Sequence, residues 1–146
     1  VCSYQPQYSL LYRENQKSID LCAKNNIGIL TYGSIAGGIL SGKYRTEEDC
    51  PKDGRTQTYP FYHGEAFKKA MKLVDVLEMI ANDHQKPISH VAINWVNQQP
   101  GITTSLVGMK TPEQAISNAE AGNWELSKEE LMLINSTYEK LFGDQQ

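Results

Sequence analysis

Short apolar segments alternate with helical patterns along this sequence, and that alternation limits the folds it can adopt. Strand-like segments at residues 1–11, 27–32 and 102–107 are separated by stretches whose apolar residues have helical spacing. The segment at 27–32 is almost continuously apolar, which is typical of a strand buried on both faces of a parallel sheet. Alternating strands and helices predict an α/β fold with helices packed outside a parallel sheet.

Start signals place the helices between and after these strands. Thr111-Pro112 is a typical N-cap with proline in the first helical position. Ser127 and Glu130 have the spacing of a capping box, and Ser89 can cap the helix that precedes the third strand. The helices are expected at 14–26, 64–83 and 89–98, with two more beginning near 111 and 127.

Composition argues against several functional classes. The chain has 146 residues, and 14 basic and 17 acidic residues give a net charge of −3, so no basic surface predicts binding to nucleic acid or acidic lipid. No apolar run approaches the length of a membrane span, and no basic start followed by an apolar run indicates a secretory signal. We therefore expect a cytoplasmic protein without a nucleic-acid or membrane partner.

Cysteine and histidine spacing gives no sign of a metal site. There is no C-x-x-C pair, so neither a zinc knuckle nor a disulfide framework is predicted, and the histidines lack the spacing of metal ligands. Reduced thiols and no bound metal are expected. The residues concerned are Cys2, Cys22, Cys50, His63, His84 and His90.

Residues 33–63 are rich in glycine and proline and are predicted to form one long irregular loop, a feature that is often functional. Within it, Gly37 to Lys43 matches the phosphate-loop spacing G-x-x-x-x-G-K, but Tyr44 stands where a Ser or Thr should bind magnesium. The residues that follow are polar and interrupted by proline, whereas a phosphate loop opens directly into a helix. A phosphate-loop hydrolase is the least favoured hypothesis, and no ATP binding is expected.

Five blocks of sequence, in order along the chain, resemble aldo-keto reductases. The second block carries Tyr32 and a glycine-rich stretch ending in Gly42-Lys43-Tyr44, and it is similar to the family's seventh strand and cofactor loop. The fourth block resembles the family's adenosine-phosphate signature. The resemblance is strongest to the branch of potassium-channel β subunits and bacterial general-stress reductases. The blocks are residues 5–13, 30–44, 90–96, 106–118 and 124–131.

The resemblance implies a (β/α)8 TIM barrel of which this chain is the C-terminal part. A complete barrel needs ~250 residues, so residues 1–146 are expected to form a single partial domain with about three parallel strands and outer helices. Such a sheet has open edges, and unpaired edges favour pairing with other chains. The expected partners are the N-terminal half of the barrel or, through the open edges, further copies of this segment.

The function implied by the resemblance is NADPH-dependent reduction of a small aldehyde or ketone by hydride transfer. In the family the catalytic Asp, Tyr, Lys and His lie in the first half of the barrel, so no catalytic residue is assigned in this chain. The segment alone is expected to be inactive. The alternative is a cofactor-sensing regulatory or binding subunit with little turnover, and a Tyr and Lys in the other half would distinguish the two.

The resemblance also implies which residues hold the nicotinamide end of the cofactor. Gln5 would hydrogen-bond the carboxamide, since an amide both donates and accepts. Tyr32 would stack on the ring. The alternative is that Gln5 is a polar residue at a strand end and Tyr32 a core aromatic.

The loop after the second strand would hold the pyrophosphate. Its small residues let backbone N–H groups approach an anion closely, and Lys43 and Arg55 would clamp the phosphates. Gly33-Ser34 stands where the family usually has Ser-Pro, which loosens the turn and removes one hydroxyl. The predicted loop residues are Gly33, Ser34, Ile35, Ala36 and Gly38.

The adenosine end would lie at the helix that begins near residue 111. Lys110 precedes the helix N-terminus, so a 2′-phosphate would meet a cation and a helix dipole together. The alternative for Gln114 is structural, because Thr111-x-x-Gln114 is itself a capping box. The predicted residues at this end are Gly108, Lys110, Gln114, Ser117 and Asn118.

Overall fold

A parallel three-stranded sheet lies at the centre of the structure, a computed structural model that describes residues 1–143. Its strands are β1 (Ser3–Tyr4), β2 (Gly28–Tyr32) and β3 (Thr104–Leu106), in the order β1-β2-β3. Both pairings are parallel, with Leu30 of β2 opposite Thr104 of β3. Within the described residues the sheet does not close, and β1 and β3 are its edges. The predicted α/β fold with three parallel strands is confirmed.

Helices connect the strands and cover the sheet. Both capping motifs predicted at the later helices are present: the Thr111 hydroxyl accepts the N–H of Gln114, and Ser127 and Glu130 form a capping box. No helix within residues 1–143 is both long and apolar enough to cross a membrane. The α-helices of this part of the chain are α1 (Gln16–Lys24), α2 (Arg55–Thr58), α3 (Gly64–Asp83), α4 (Ile88–Asn97), α5 (Pro112–Glu120) and α6 (Lys128–Phe142).

The first strand is much shorter than the predicted segment 1–11. β1 ends at Tyr4, because Pro6 has no N–H to donate to a sheet and reciprocal backbone bonds between Ser9 and Tyr12 turn the chain. Contact with β2 continues at Tyr32, whose carbonyl oxygen accepts the N–H of Tyr8 at 3.0 Å and whose N–H donates to the carbonyl oxygen of Pro6 at 3.0 Å. The residues after β1 are therefore a loop that lies beside the end of β2.

The prediction that Ser89 caps α4 is wrong, because the N-cap lies two residues earlier. The N-cap is Pro87, whose backbone is extended and whose carbonyl oxygen accepts the N–H of His90 at 3.0 Å. Ser89 therefore lies inside the first turn of α4, which begins at Ile88. Proline fixes its own φ at a value compatible with this boundary, so the proline at 87, not the serine, sets the helix start.

Residues 33–63 contain more local structure than the predicted irregular loop. Turns of 3-10 helix cover Ala36–Ser41, Glu47–Asp49 and Pro60–Tyr62. The Tyr62 ring is fully buried, and its hydroxyl donates to the carbonyl oxygen of Gly37 at 2.9 Å. This bond fastens the end of the segment to its beginning. Lys43 does not lead into a helix, so the phosphate-loop spacing does not form phosphate-loop geometry.

The half-buried Arg13 joins the loop after β1 to two helices. The guanidinium of Arg13 lies between the rings of Trp95 in α4 and Tyr138 in α6, with its Cζ atom 4.4 and 3.7 Å from the two ring centroids. The Tyr8 ring stacks on the Trp95 ring, with 5.7 Å between their centroids. Cation–π contacts of this kind are strongest where water is excluded. The cluster therefore fixes β1 and its loop against the helical layer.

The capping box at α6 also carries a pH-sensitive contact. Glu130 accepts the N–H of Ser127 at 2.7 Å and lies 2.6 Å from Nε2 of His84 at the end of α3. Burial would raise the pKa of Glu130, but the hydrogen bonds from Ser127 and His84 outweigh it and hold that pKa below its ordinary value of 4.5. The ionised carboxylate therefore joins α3 to α6.

Glu130→Gln is expected to lower the free energy of unfolding at pH 7 by about 0.3–1 kcal/mol, because Gln can keep the capping box but removes the negative charge near the helix N-terminus. Because the folded pKa of Glu130 is depressed, its stabilising contribution is present above pH 4.5 and is lost as the pH falls through the folded pKa. Urea titrations of both proteins between pH 7 and pH 3 measure this. The stability difference should narrow as the pH falls below 4.5, and a difference independent of pH would contradict the role of the carboxylate.

Candidate functional site

A cleft of about 750 Å³ lies where β2 and β3 end. One wall is the loop after β2 and the other is the loop after β3 with the start of α5. The carboxyl ends of parallel strands face the same edge of a sheet, and in α/β folds this edge is where ligands bind. The cleft brings together most of the residues predicted from sequence, namely Gly33, Ser34, Ile35, Gly38, Lys43, Arg55, Gly108, Lys110, Gln114, Ser117 and Asn118.

The remaining predicted residues lie outside this lining. Ala36 is fully buried, and Tyr32 is 44% exposed at the end of β2. Gln5 is exposed immediately after β1. Because the N–H of Tyr32 donates to the carbonyl oxygen of Pro6 at 3.0 Å, Gln5 and Tyr32 are on adjacent chain segments at the same edge of the sheet. Tyr32 is therefore not the core aromatic of the alternative interpretation.

The backbone of the first wall offers fewer free donors than predicted. The N–H of Ala36 donates to the carbonyl oxygen of Gly33 at 2.8 Å, and the N–H of Gly38 donates to that of Ile35 at 2.9 Å. The N–H groups of Ser34 and Ile35 make no hydrogen bond to the described residues. The available anion donors of this loop are therefore concentrated at its first turn.

Ser34 adds a buried polar group to the same turn. Its side chain is 1% exposed, and its hydroxyl has no hydrogen-bond partner among residues 1–143. An unpaired buried hydroxyl costs free energy. A water molecule or a polar ligand at this wall would satisfy the hydroxyl.

Arg55 is held rigidly above the first wall. Its guanidinium donates from Nε and Nη2 to the carboxylate of Asp53, and Nη1 donates to the hydroxyl of Tyr44 at 3.0 Å. The hydrogen bonds from Arg55 lower the pKa of Asp53 to about 2, and the reciprocal bond raises that of Arg55. Arg55 therefore stays charged, but Asp53 offsets part of that charge.

The second wall shows a variant of the predicted capping box. The N–H of Gln114 donates to the Thr111 hydroxyl at 3.3 Å, as a capping box requires. The Gln114 side-chain oxygen accepts the N–H of Lys110 at 2.7 Å, whereas in a standard box it would accept the N–H of Thr111. Gln114 thus has a structural contact and also lines the cleft.

Several lining residues escaped sequence reasoning. Some are neighbours of predicted residues, and the glycine-rich block and the helix start are signals that could have located them. Tyr59 lies in a segment with no such signal, and only the folding of residues 33–63 over the loop brings it to the site. Ser89 was predicted only as a helix cap. These residues are Gly37, Ser41, Tyr44, Tyr59, Ser89, Leu106, Met109 and Glu113.

Tyr59 closes the first wall because Gly37 has no side chain. A Cβ atom built at Gly37 would lie 2.7 Å from two carbons of the Tyr59 ring, and Gly37 has a φ of +69°. Burial and the nearby Tyr32 raise the pKa of the Tyr59 hydroxyl. The phenol is therefore neutral near pH 7 and adds no charge to the cleft.

Gly37→Ala is expected to lower the free energy of unfolding by about 1–3 kcal/mol, because it adds a strained φ and displaces the Tyr59 ring. Gly54→Ala is the matched control, since Gly54 has a negative φ and nothing within 4 Å of its Cβ position. It should change stability by less than about 0.5 kcal/mol. Urea unfolding of the two variants compares them, and equal effects would contradict the close approach of Tyr59 to Gly37.

Comparison with known proteins identifies the family. A model described as the aldo/keto reductase family matches residues 1–139. The chain belongs to this family. The resemblance inferred from the five sequence blocks is thereby confirmed, although the branch within the family is not distinguished.

Relatives and a solved structure agree with this assignment. Aldo-keto reductase YhdN of Bacillus subtilis (strain 168) is 32% identical over 142 residues, which are 96% of this chain and 43% of the relative. The L-glyceraldehyde 3-phosphate reductase of Escherichia coli O157:H7 is 29% identical over 90% of this chain and 40% of its own length. The structure of the glycerol dehydrogenase AKR11B4 from Gluconobacter oxydans is 26% identical, with a TM-score of 0.83 over 93% of this chain and 42% of that one. The chain thus spans less than half of these relatives.

Proposed function

We propose that this chain forms the NADPH-holding part of an aldo-keto reductase that reduces a small aldehyde or ketone by hydride transfer. The observation that carries the proposal is the cleft itself. The loop after β2 and the loop after β3 are far apart in sequence, both resemble cofactor segments of the family, and they form the two walls of one cleft.

The cleft fits a dinucleotide in size and in chemistry. Its volume of about 750 Å³ falls in the usual range of ligand pockets, ~300–1,000 Å³. Lys43, Arg55 and Lys110 supply positive charge along it, and the first turn supplies the unpaired Ser34 hydroxyl with free N–H groups. A cofactor with three phosphates needs cations and backbone donors in this combination.

Different cleft residues would hold the pyrophosphate and the 2′-phosphate of such a cofactor. The N–H groups of Ser34 and Ile35, with Lys43 and Arg55, would hold the pyrophosphate. Lys110 and the N-terminus of α5 would hold the 2′-phosphate. Asp53 competes with the phosphates for Arg55, since it accepts three hydrogen bonds from that guanidinium. Arg55 therefore contributes less to binding than its formal charge suggests.

The nicotinamide end would lie at the strand ends that carry Gln5 and Tyr32. When bound, the cofactor supplies the hydride. Tyr32, exposed at the end of β2, would cover one face of the ring. We further propose that residues 1–146 are the C-terminal half of a barrel in the cytoplasm, and that its N-terminal half supplies the catalytic Asp, Tyr, Lys and His.

A fluorescence titration of the complete protein with NADPH tests this proposal. The expected result is saturable binding that Lys43→Ala weakens and that Met132→Ala leaves unchanged, since Met132 is 71% exposed and does not line the cleft. Carbonyl-dependent oxidation of NADPH by the same protein tests the enzymatic role. Binding without turnover would favour the cofactor-sensing alternative, and absence of binding would overturn the proposal.

A further inference from the structure

A buried histidine lies directly behind the second wall of the cleft. His90, in α4, is fully buried. Its Nε2 atom is 3.0 Å from Oγ of Ser117 in α5, and Ser117 lines the cleft. The Nδ1 atom of His90 has no hydrogen-bond partner within the described residues. Among residues 1–143, the one hydrogen-bond partner of this imidazole is therefore a hydroxyl at the cleft surface.

We propose that His90 is a positioning residue, which fixes the Ser117 hydroxyl for the adenosine end of a bound dinucleotide. The inference rests on the proposed function, because it takes Ser117 to contact that ligand. His90 itself does not line the cleft, so it acts through Ser117.

The chemistry of the pair supports a positioning role. A serine hydroxyl rotates among three staggered rotamers, and a partner on α4 selects one of them. The hydroxyl has one donor and two acceptor positions. Whichever tautomer His90 adopts, the bond between Nε2 and Oγ uses one of these positions, and the oxygen keeps a lone pair for a ligand.

The charge state of His90 suits this role. Burial lowers the pKa of the imidazole, and the nearby Lys86 lowers it further, while Glu120 acts in the opposite direction. The ring is therefore neutral near pH 7. A neutral ring packs among the apolar neighbours of α4 without the cost of a buried unpaired charge.

The alternative is that His90 only fills space between α4 and α5. The two roles differ in how the effects of substitutions combine. If His90 acts through Ser117, its effect on ligand affinity disappears once the hydroxyl is removed. If it only packs, its effect persists in that background. A double-mutant cycle separates the two cases.

The test uses 2′,5′-ADP, which contains adenosine and the 2′-phosphate but no nicotinamide, in isothermal titrations of the complete protein. His90→Leu and Ser117→Ala should each raise the dissociation constant by about 2- to 12-fold, the value of one hydrogen bond. The double variant should bind no more weakly than Ser117→Ala alone. The inference would be overturned if the two single-variant increases in the dissociation constant multiply in the double variant. It would also be overturned if His90→Leu leaves the dissociation constant unchanged.

Two amide variants keep the test decisive if His90→Leu does not fold. His90→Gln can place an N–H at nearly the reach of Nε2 and should retain most of the affinity. His90→Asn is one methylene shorter and should lose affinity as His90→Leu does. Equal affinities of the Gln and Asn variants would overturn the inference.

His84→Leu is the matched control, because His84 also joins two helices by a side-chain contact but lies outside the cleft. It should lower stability without changing the dissociation constant for 2′,5′-ADP. A comparable loss of affinity in this control would show that general loosening of the helices explains the His90 result, and would overturn the inference. If the unsubstituted protein binds neither 2′,5′-ADP nor NADPH, the proposed function itself fails. If the unsubstituted protein binds but the effects of the His90 and Ser117 substitutions on the dissociation constant multiply, only the role of His90 fails.

Discussion

Replacing Lys110 with alanine is expected to weaken NADPH binding by about 5- to 100-fold and to leave NADH binding nearly unchanged. The two cofactors differ by a 2′-phosphate that carries close to two negative charges. Lys110 lines the cleft next to the N-cap of α5, and it is the only Lys or Arg between Lys86 and Lys128. A charge-assisted hydrogen bond to phosphate is worth ~1.5–3 kcal/mol, which sets the upper part of this range.

Fluorescence titrations of both cofactors against Lys110→Ala measure the change in preference. Lys43→Ala is the matched control, because Lys43 lines the cleft beside the loop after β2 and would contact phosphates that both cofactors share. It should weaken NADPH and NADH by similar factors. If Lys110→Ala lowers both affinities equally or neither, Lys110 is a solvated surface charge and the 2′-phosphate site is misplaced.

Replacing Trp95 with alanine is expected to lower the free energy of unfolding by about 3–5 kcal/mol, the usual range for truncating a buried aromatic. Trp95 is 1% exposed, and its Nε1 donates to Oδ1 of Asn135 in α6 at 3.1 Å. Its removal leaves a cavity beside the Arg13 guanidinium and takes away one of the two rings that contact it. The loop after β1 then loses its main contact with α4.

Urea unfolding followed by circular dichroism measures this loss. Trp95→Phe should cost less than Trp95→Ala, because it keeps an aromatic ring for Arg13 and loses only the Nε1 donor and part of the volume. Met132→Ala, at an exposed position in α6, should change stability by less than about 0.5 kcal/mol. A loss below 1 kcal/mol for Trp95→Ala would contradict the role of the cluster as an anchor. An alanine variant that fails to fold agrees with it, and the Phe variant then provides the value.

The sequence predicted the parallel sheet and the later helices well, because their signals are local. The apolar run ending at Tyr32 and the caps at Thr111 and Ser127 depend on neighbouring residues only. The length of β1 was not predictable in the same way. Its end depends on Pro6 and on the turn at Ser9, and the apolar residues beyond it belong to a buried loop instead of a strand.

The candidate site shows the same difference between residues with a local sequence signal and residues that only tertiary folding brings in. Lys110 and Ser34 could be named because they stand next to a helix start and a strand end. Tyr59 could not, because only tertiary folding brings the middle of residues 33–63 over Gly37. The hydrogen bonds of the Ala36 and Gly38 N–H groups within the loop could not be predicted from the sequence either, since they depend on the positive φ values of this loop.

Hydrogen–deuterium exchange of the complete protein with and without NADPH reports which segments the cofactor contacts. We expect slower exchange of backbone amides in two separate segments, residues 33–43 and 108–118, with little change in α3 and α6. Protection of only one segment, or protection confined to elements outside the cleft, would contradict the claim that these two loops together hold the cofactor.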